Sequence, residues 1–237
     1  MIFITKISII LPTLNEEKGI GKTIDSINTD YFKKKKWDFE IIIVDGDSKD
    51  KTQEIARKKG VRVIIEKRKG YGRAYKTGFP AATGDIIVTG DADATYPFDL
   101  IHEYVQLLID ENLDFISTDR FAELRHGSMS VKHYLGNTVL ALSLRLLYWV
   151  GINDSQSGMW IFKKNALGKI RPLEYFNDGM PFSEEIKIEM FSCKRVNSRE
   201  IPSRLYAREG EKKLQSFTDG WKNLKYLFKK RVIWRPQ

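Results

Sequence analysis

Short apolar runs alternate with amphipathic stretches through the first half of the chain. Ile7-Ser8-Ile9-Ile10-Leu11 is a short apolar strand stopped by Pro12. Asn15 then suits a helix cap ahead of Ile20, Ile24 and Ile27, which share one helical face. Phe39 to Val44 is a second apolar strand, ending in Asp45-Gly46-Asp47, and a polar helix is expected from Asp50 to Lys59. Val61 to Ile65 reads as a third strand. Gly70 and Gly72 open a crossover helix through Ala82, and Asp85 to Thr89 is a fourth strand running into Gly90-Asp91-Ala92-Asp93. Apolar strands separated by helices predict an α/β fold with a mostly parallel sheet covered on both faces. Such sheets bind ligands beyond the carboxyl ends of their strands, where Asp45 and Asp91 fall.

The second half is less regular. The pattern predicts a helix over Phe98 to Ile109, a strand over Asp114 to Thr118 and a long apolar helix over Val131 to Val150. Strands are expected at Met159 to Phe162 and Lys194 to Val196. A final helix over Leu214 to Arg231 carries Phe217, Trp221, Leu224 and Phe228 on one side. With no Pro/Gly/Ser linker in view, the expected organisation is one catalytic domain over residues 1–213 and an amphipathic helical extension over 214–237.

Composition narrows the class. The chain has 237 residues, 42% hydrophobic and 30% charged, with 7 Pro and 17 Gly, which excludes collagen-like and wholly disordered chains. Its single cysteine, Cys193, has no partner for an internal disulfide, so a cytoplasmic setting is expected. The net charge of +9 favours polyanions: nucleic acid, anionic lipid or phosphorylated metabolites. A basic nucleic-acid-binding module is one reading, but no helix-turn-helix, zinc-finger or OB pattern supports it, and His102, His126, His133 and Cys193 lack zinc spacing. The most apolar window, Leu135 to Ile152, holds Arg145 near its middle, so a buried or membrane-surface helix is expected there rather than a span.

The DAD segment carries the clearest chemistry. Asp91 and Asp93, one small residue apart on a strand-ending turn, can approach the same hard cation. Mg2+ or Mn2+ takes oxygen ligands and keeps water and substrate phosphate in its shell. The plain alternative is a solvated acidic turn. Asp45 and Asp47 read either as turn residues accepting local backbone hydrogen bonds or as acceptors for base N–H or ribose hydroxyls, with Thr13 and Asn15 near the same edge. Arg68, Lys69 and Arg73 surround Gly70 and Gly72, a pairing of close backbone approach and cationic charge that suits phosphate. Neither GxGxxG after the first strand nor GxxxxGK[ST] is present, which disfavours dinucleotide and P-loop sites.

In order along the chain, these segments resemble the family 2 glycosyltransferases of GT-A fold, and among them the dolichyl- or polyprenyl-phosphate mannose and glucose synthases. Leu11-Pro12-Thr13-Leu14-Asn15-Glu16-Glu17 matches the family's opening motif, and Val44 to Thr52 its nucleotide-contacting segment. Gly70 to Tyr75 resembles the crossover segment, and Asp91-Ala92-Asp93 the metal-binding DxD. Asp154 to Met159 resembles the acceptor-side segment. Phe182-Ser183-Glu184-Glu185 falls where the family carries a site carboxylate, and Ile201 to Gly210 resembles a basic loop that closes over phosphates.

The resemblance implies a Rossmann-like nucleotide-sugar half and an inverting, metal-dependent hexosyltransferase. It puts Pro12, Thr13, Asn15, Glu16, Asp45, Arg68, Lys69, Gly72 and Ala92 at a nucleotide sugar, GDP-mannose or UDP-glucose. It puts Asp91 and Asp93 at Mg2+ or Mn2+, and Arg125, Lys132, Arg204 and Arg208 at the acceptor phosphate. The implied catalytic set is Asp93, Asp154, Glu185 and Arg208, with Asp154 and Glu185 orienting sugar hydroxyls or the cation's surroundings. The implied acceptor is dolichyl or polyprenyl phosphate. A phosphomonoester with its second pKa near about 6 is already ionised at neutral pH and needs no base. A family member using a glycan or small-molecule acceptor is the alternative. The final helix, with Lys222, Lys225, Lys229, Lys230, Arg231 and Trp234, either lies at a headgroup interface or seals the rim of the sheet. The first case implies a peripheral protein on the cytoplasmic face of a membrane, or one with a membrane-protein partner.

Overall fold

The structure, a computed structural model, describes residues 5–123, 131–209 and 216–234, without the side chains of 123, 131–133 and 216–219. A seven-stranded sheet runs in the order β3-β2-β1-β4-β6-β5-β7. Strands β1 (Lys6–Thr13), β2 (Asp38–Asp45), β3 (Arg62–Ile65) and β4 (Ile86–Thr89) are parallel. β6 (Trp160–Lys163) runs antiparallel to β4 and to β5 (Phe115–Glu123), and β7 (Ser198–Arg204) is parallel to β5. The mostly parallel α/β sheet expected from the apolar runs is therefore present, with β6 reversed.

Alternation along each strand fills two cores. Ile7, Ile9 and Leu11 of β1 and Ile41 and Ile43 of β2 enter one; Ile10, Ile42 and Val44 enter the other. The first core is covered by α1 (Ile20–Ser26), α2 (Thr29–Lys34), α3 (Thr52–Lys58) and α5 (Ile101–Asp110). The second is covered by α4 (Tyr71–Ala81) and α7 (Phe182–Ser192), whose Tyr75, Phe79 and Phe182 rings pack together. A third cluster joins α6 (Val131–Tyr148), α7 and α8 (Ser216–Ile233) through Leu144, Tyr148, Ile188, Leu227 and Trp234.

Several local expectations change. Asn15 does not cap α1, which begins after Gly19; Asn15 has φ 53 and its side chain accepts from the Lys49 N–H at 2.8 Å. The last strand lies at Ser198–Arg204 rather than at Lys194 to Val196, where Val196 N–H instead closes a turn onto the Cys193 carbonyl at 3.0 Å. α7 is buried from Phe182 through Met190, including Glu184, Glu185, Lys187 and Glu189, so it shows no amphipathic period to read.

α8 is also rotated from the expected apolar stripe. Trp221 and Phe228 are each 55% exposed, while Asn223, Leu227, Lys230 and Trp234 are buried. The Phe217 side chain lies outside the described residues. Polar anchors set this rotation: Lys230 Nζ reaches Glu185 Oε1 at 2.9 Å and Glu189 Oε1 at 3.2 Å, with side-chain exposures of 1%, 1% and 3%. Among the described residues no helix is long and apolar enough to cross a membrane. Lys230→Met keeps the side chain's bulk but leaves two buried carboxylates without their cation. Breaking a buried pair from one side costs about 3–5 kcal/mol, so the urea midpoint is expected to fall steeply. An unchanged midpoint would contradict this pairing.

Candidate active site

The carboxyl ends of β1 and β2 form one wall. Asp45 is fully buried there and accepts four hydrogen bonds. Oδ1 takes Ser48 N–H at 2.8 Å and Gln53 Nε2 at 2.7 Å; Oδ2 takes Thr13 Oγ1 at 3.0 Å and the Ser48 hydroxyl at 2.6 Å. These four bonds, in a group with about four acceptor positions, order the loop that follows β2. Asp47 pairs at the surface with Lys49 at 2.6 Å. Asn15 N–H bonds Ser48 Oγ at 2.8 Å and Glu16 N–H bonds Thr52 Oγ1 at 2.7 Å, tying the two loops together. Pro12 sits in the ladder opposite Val44.

The glycines and cations at 68–73 are committed to the protein. A Cβ on Gly70, whose φ is 134, would collide with the Asp178 carbonyl, and one on Gly72 would meet the Asn177 carbonyl and Phe182. The close approach of the backbone at Gly70 and Gly72 thus seats residues 177–182. Arg73 pairs with Asp178 at 2.7 Å. Arg68 clasps Glu66 and, chiefly through that bond, holds the Glu66 carboxyl down to about 2. Lys69 is exposed.

The DAD turn follows β4. Its Ala94 has φ 62 and donates its N–H to Thr23 Oγ1 at 3.0 Å, which holds the turn in a left-handed conformation. Asp93 is 2% exposed. It accepts from the Thr95 N–H at 3.1 Å and hydroxyl at 2.6 Å, and pairs with Arg208 Nη1 at 3.1 Å. Arg208 Nη2 also lies 3.4 Å from Glu16 Oε1, so the basic segment after β7 is drawn onto these acids. Ala92 is buried beneath.

The Asp91 carboxyl is pushed up to about 7. Burial is the main cause and the Asp93 charge the next, against the pull of Arg120 and Arg208. Two adjacent, poorly solvated carboxylates of this kind fit a divalent cation. Among the described residues no group of three or more metal-binding side chains is assembled. An ion here would draw the rest of its shell from phosphate and water, as Mg2+ commonly does.

Opposite the DAD turn stands Arg120, which the sequence does not single out. Its guanidinium clasps Asp154 through Nε at 2.6 Å and Nη2 at 2.9 Å and lies 5.9 Å from the centre of the Tyr96 ring. Asp154 is fully buried and also accepts from Asn137 Nδ2 at 3.0 Å and Gln156 N–H at 3.1 Å. Burial raises its carboxyl, but Arg120 outweighs this and holds it down to about 2. Asp154 is thereby the anchor of Arg120. Only the folded chain joins residue 120 on β5 to residue 154 in a loop.

Glu185 is likewise tied to protein groups. Its carboxylate faces α8, where it meets Lys230 and the Tyr226 hydroxyl at 2.8 Å, and it accepts the Asn177 N–H. The neighbouring Glu184 accepts from Gln156 Nε2 at 2.6 Å, and burial pushes it up to about 8. Arg204 is exposed at the end of β7, in register with Glu123. Arg125 and the Lys132 side chain lie outside the described residues.

The sequence profile described as glycosyl transferase family 2 matches residues 8–171. A low-salt glycan biosynthesis hexosyltransferase of Haloferax volcanii is 34% identical over 93% of this chain, and the chain spans 52% of that protein's length. A dolichyl-phosphate hexose transferase of the same organism is 32% identical over 90% of this chain and 89% of its own length. Among solved structures, glucosyl-3-phosphoglycerate synthase from Mycobacterium tuberculosis with Mn2+, UDP-glucose and phosphoglyceric acid superposes with a TM-score of 0.74. Its identity is 21%, over 98% of this chain and 82% of that one. The complex with Mn2+, UDP and phosphoglyceric acid gives 0.73 at 22% identity, over 96% and 78%.

These superpositions correct the expected special likeness to dolichyl- and polyprenyl-phosphate mannose or glucose synthases. Solved structures that share this fold over nearly its whole length include those of glucosyl-3-phosphoglycerate synthase in complex with phosphoglyceric acid. With its sheet order, its strand-ending DAD turn and a profile match across most of its length, the chain belongs to glycosyl transferase family 2 and is a glycosyltransferase of GT-A-like fold.

Proposed function

We propose that the chain transfers a hexose from a UDP-glucose-type nucleotide sugar to a phosphorylated small-molecule acceptor of the phosphoglycerate kind. The observation that carries this reading is the Asp91–Asp93 pair at the end of β4, flanked by the guanidinium groups of Arg208 and Arg120. Acids for a cation and cations for phosphates stand on one edge of the sheet. The small-molecule acceptor draws its support from the solved structures, whose bound acceptor is phosphoglyceric acid. It replaces the lipid phosphate expected from sequence.

Asp91 and Asp93 would hold Mg2+ or Mn2+, which when bound supplies charge neutralisation for a departing diphosphate. Around that position the chain's own groups bind and orient. The Asp45 hub and the loops at 13–17 and 48–52 shape the nucleoside wall. Arg208 brings positive charge between Asp93 and Glu16. Arg120, locked by Asp154, presents a planar guanidinium suited to a phosphate or carboxylate. A hydroxyl acceptor, unlike a lipid phosphate, carries a proton that must leave during attack.

The test runs radiolabelled UDP-glucose and Mn2+ against 3-phosphoglycerate, glycerol 3-phosphate and a short-chain polyprenyl phosphate in parallel. Label is expected in a water-soluble phosphorylated product. Label confined to the solvent-extractable lipid would overturn the acceptor assignment.

Asp91→Asn is expected to abolish Mn2+ binding, measured by electron paramagnetic resonance, and to cut turnover by about two orders of magnitude. It should also stabilise the metal-free protein in a pH-dependent way. The folded-state carboxyl near 7 lies above the ordinary 3.8, so its ionisation opposes folding increasingly as pH rises between those values. The variant should therefore melt above the wild type at about pH 8, with the gap closing toward about pH 5. A variant melting below the wild type at the higher pH would contradict this burial of charge.

A further inference from the structure

α8 meets the catalytic half through polar side chains on its inner face. Asn223, 3% exposed, donates from Nδ2 to Gln156 Oε1 at 3.1 Å, and Gln156 Nε2 donates in turn to Glu184 Oε1 at 2.6 Å. Further along the helix, Tyr226 and Lys230 grip Glu185. An amide has one acceptor end and one donor end. Gln156 therefore satisfies both neighbours in a single orientation, set by the asparagine on one side and the carboxyl group on the other. Among the described residues the second oxygen of Glu184 is buried without a hydrogen-bond partner, and Gln156 supplies the carboxyl group's hydrogen bond.

Gln156 belongs to the segment that lies beside Asp91. Two residues on, Gly158 N–H donates to the Tyr96 hydroxyl at 2.6 Å, and its carbonyl accepts from Thr89 Oγ1 at 2.8 Å. A Cβ on Gly158 would lie 3.6 Å from Asp91 Oδ1 and would strike the Tyr71 hydroxyl. Two residues back, Asp154 holds Arg120. Residues 154–158 thus carry both the anchor of Arg120 and the surface beside Asp91. Lys187 fixes the start of the segment by donating to the Asp154 and Ser155 carbonyls at 3.0 and 2.9 Å. Asn223 fixes its middle from another helix.

We infer that Asn223 and Gln156 are positioning residues for hexose transfer, through which α8 holds residues 154–158 in register with Asp91 and Arg120. The kinetic side of this inference rests on the glycosyl-transfer reading above; the anchoring itself does not. α8, expected from sequence as an extension beyond the catalytic domain, is in this account a working part of it.

The experiment compares the full chain with Asn223→Leu, Gln156→Met and the double variant. Hydrogen exchange followed by mass spectrometry should show the 154–158 amides of Asn223→Leu exchanging about tenfold faster, with β1 to β4 unchanged. UDP-glucose affinity should stay within about twofold, while kcat falls roughly tenfold, inside the ~100-fold that a 1 Å misplacement can cost. The double variant should lose no more than the worse single one, since residues acting as one unit are not additive. Asn223→Ser, too short to reach Gln156, repeats the test if the leucine variant folds poorly. Unchanged exchange at 154–158, faster exchange spread evenly over the whole sheet, or fully additive kcat losses would each overturn the inference. A wild-type chain that binds no nucleotide sugar defeats the glycosyl-transfer reading alone, because the exchange result still decides whether Asn223 anchors the segment.

Discussion

Two carboxylates that share the end of one buried strand impose conditions on everything around them. Asp91 and Asp93 are separated by a single buried alanine, and burial together with the Asp93 charge raises the cost of ionising Asp91. That cost has to be met by positive charge. The fold supplies Arg208 from the segment after β7, Arg120 from β5, and a geometry into which a divalent ion fits. Anionic substrate groups are drawn to the same place, because guanidinium groups held beside a cation site have donors to offer phosphate. The family's chemistry follows from this local imbalance of charge more than from any single reactive side chain.

A second pattern is the number of buried acids that fasten the protein around the site. Asp45, Asp154, Glu66 and Glu185 all sit near the site, and each spends its acceptor capacity on protein donors. Burying a carboxylate is costly unless it is paired and hydrogen-bonded. Where these acids lie inside the protein, they are surrounded by the donors that make burial tolerable. Asp91 differs in that its nearest strong neighbour is another acid.

The C-terminal helix extends the same logic. Its inner face is polar at Asn223, Tyr226 and Lys230 because α7 presents buried glutamates to it, and its large apolar residues Trp221 and Phe228 are turned outward as a result. The rotation of α8 thus places ionic and hydrogen-bonding groups on the same inner face as Leu227 and Trp234. The glutamates of α7 in turn reach both loops beside the site, at Gln156 and at Asn177.

By itself the sequence determined the alternating strands and helices, the placing of Asp45 and Asp91 at strand ends, and the DAD turn. These are legible because strand burial, helix periodicity and turn chemistry act over a few neighbouring residues. It also carried the family resemblance, through motifs that are each contiguous. Tertiary structure decided which acids face the site. Arg120 meets Asp154 across 34 positions, Lys230 meets Glu185 across 45, and Arg208 meets Glu16 across 192. Whether a carboxylate is spent or available depends on donors brought from such distances, and no local pattern records them. The reversed β6, the buried α7 and the rotation of α8 were hidden for the same reason: each is set by what packs against it, not by its own periodicity.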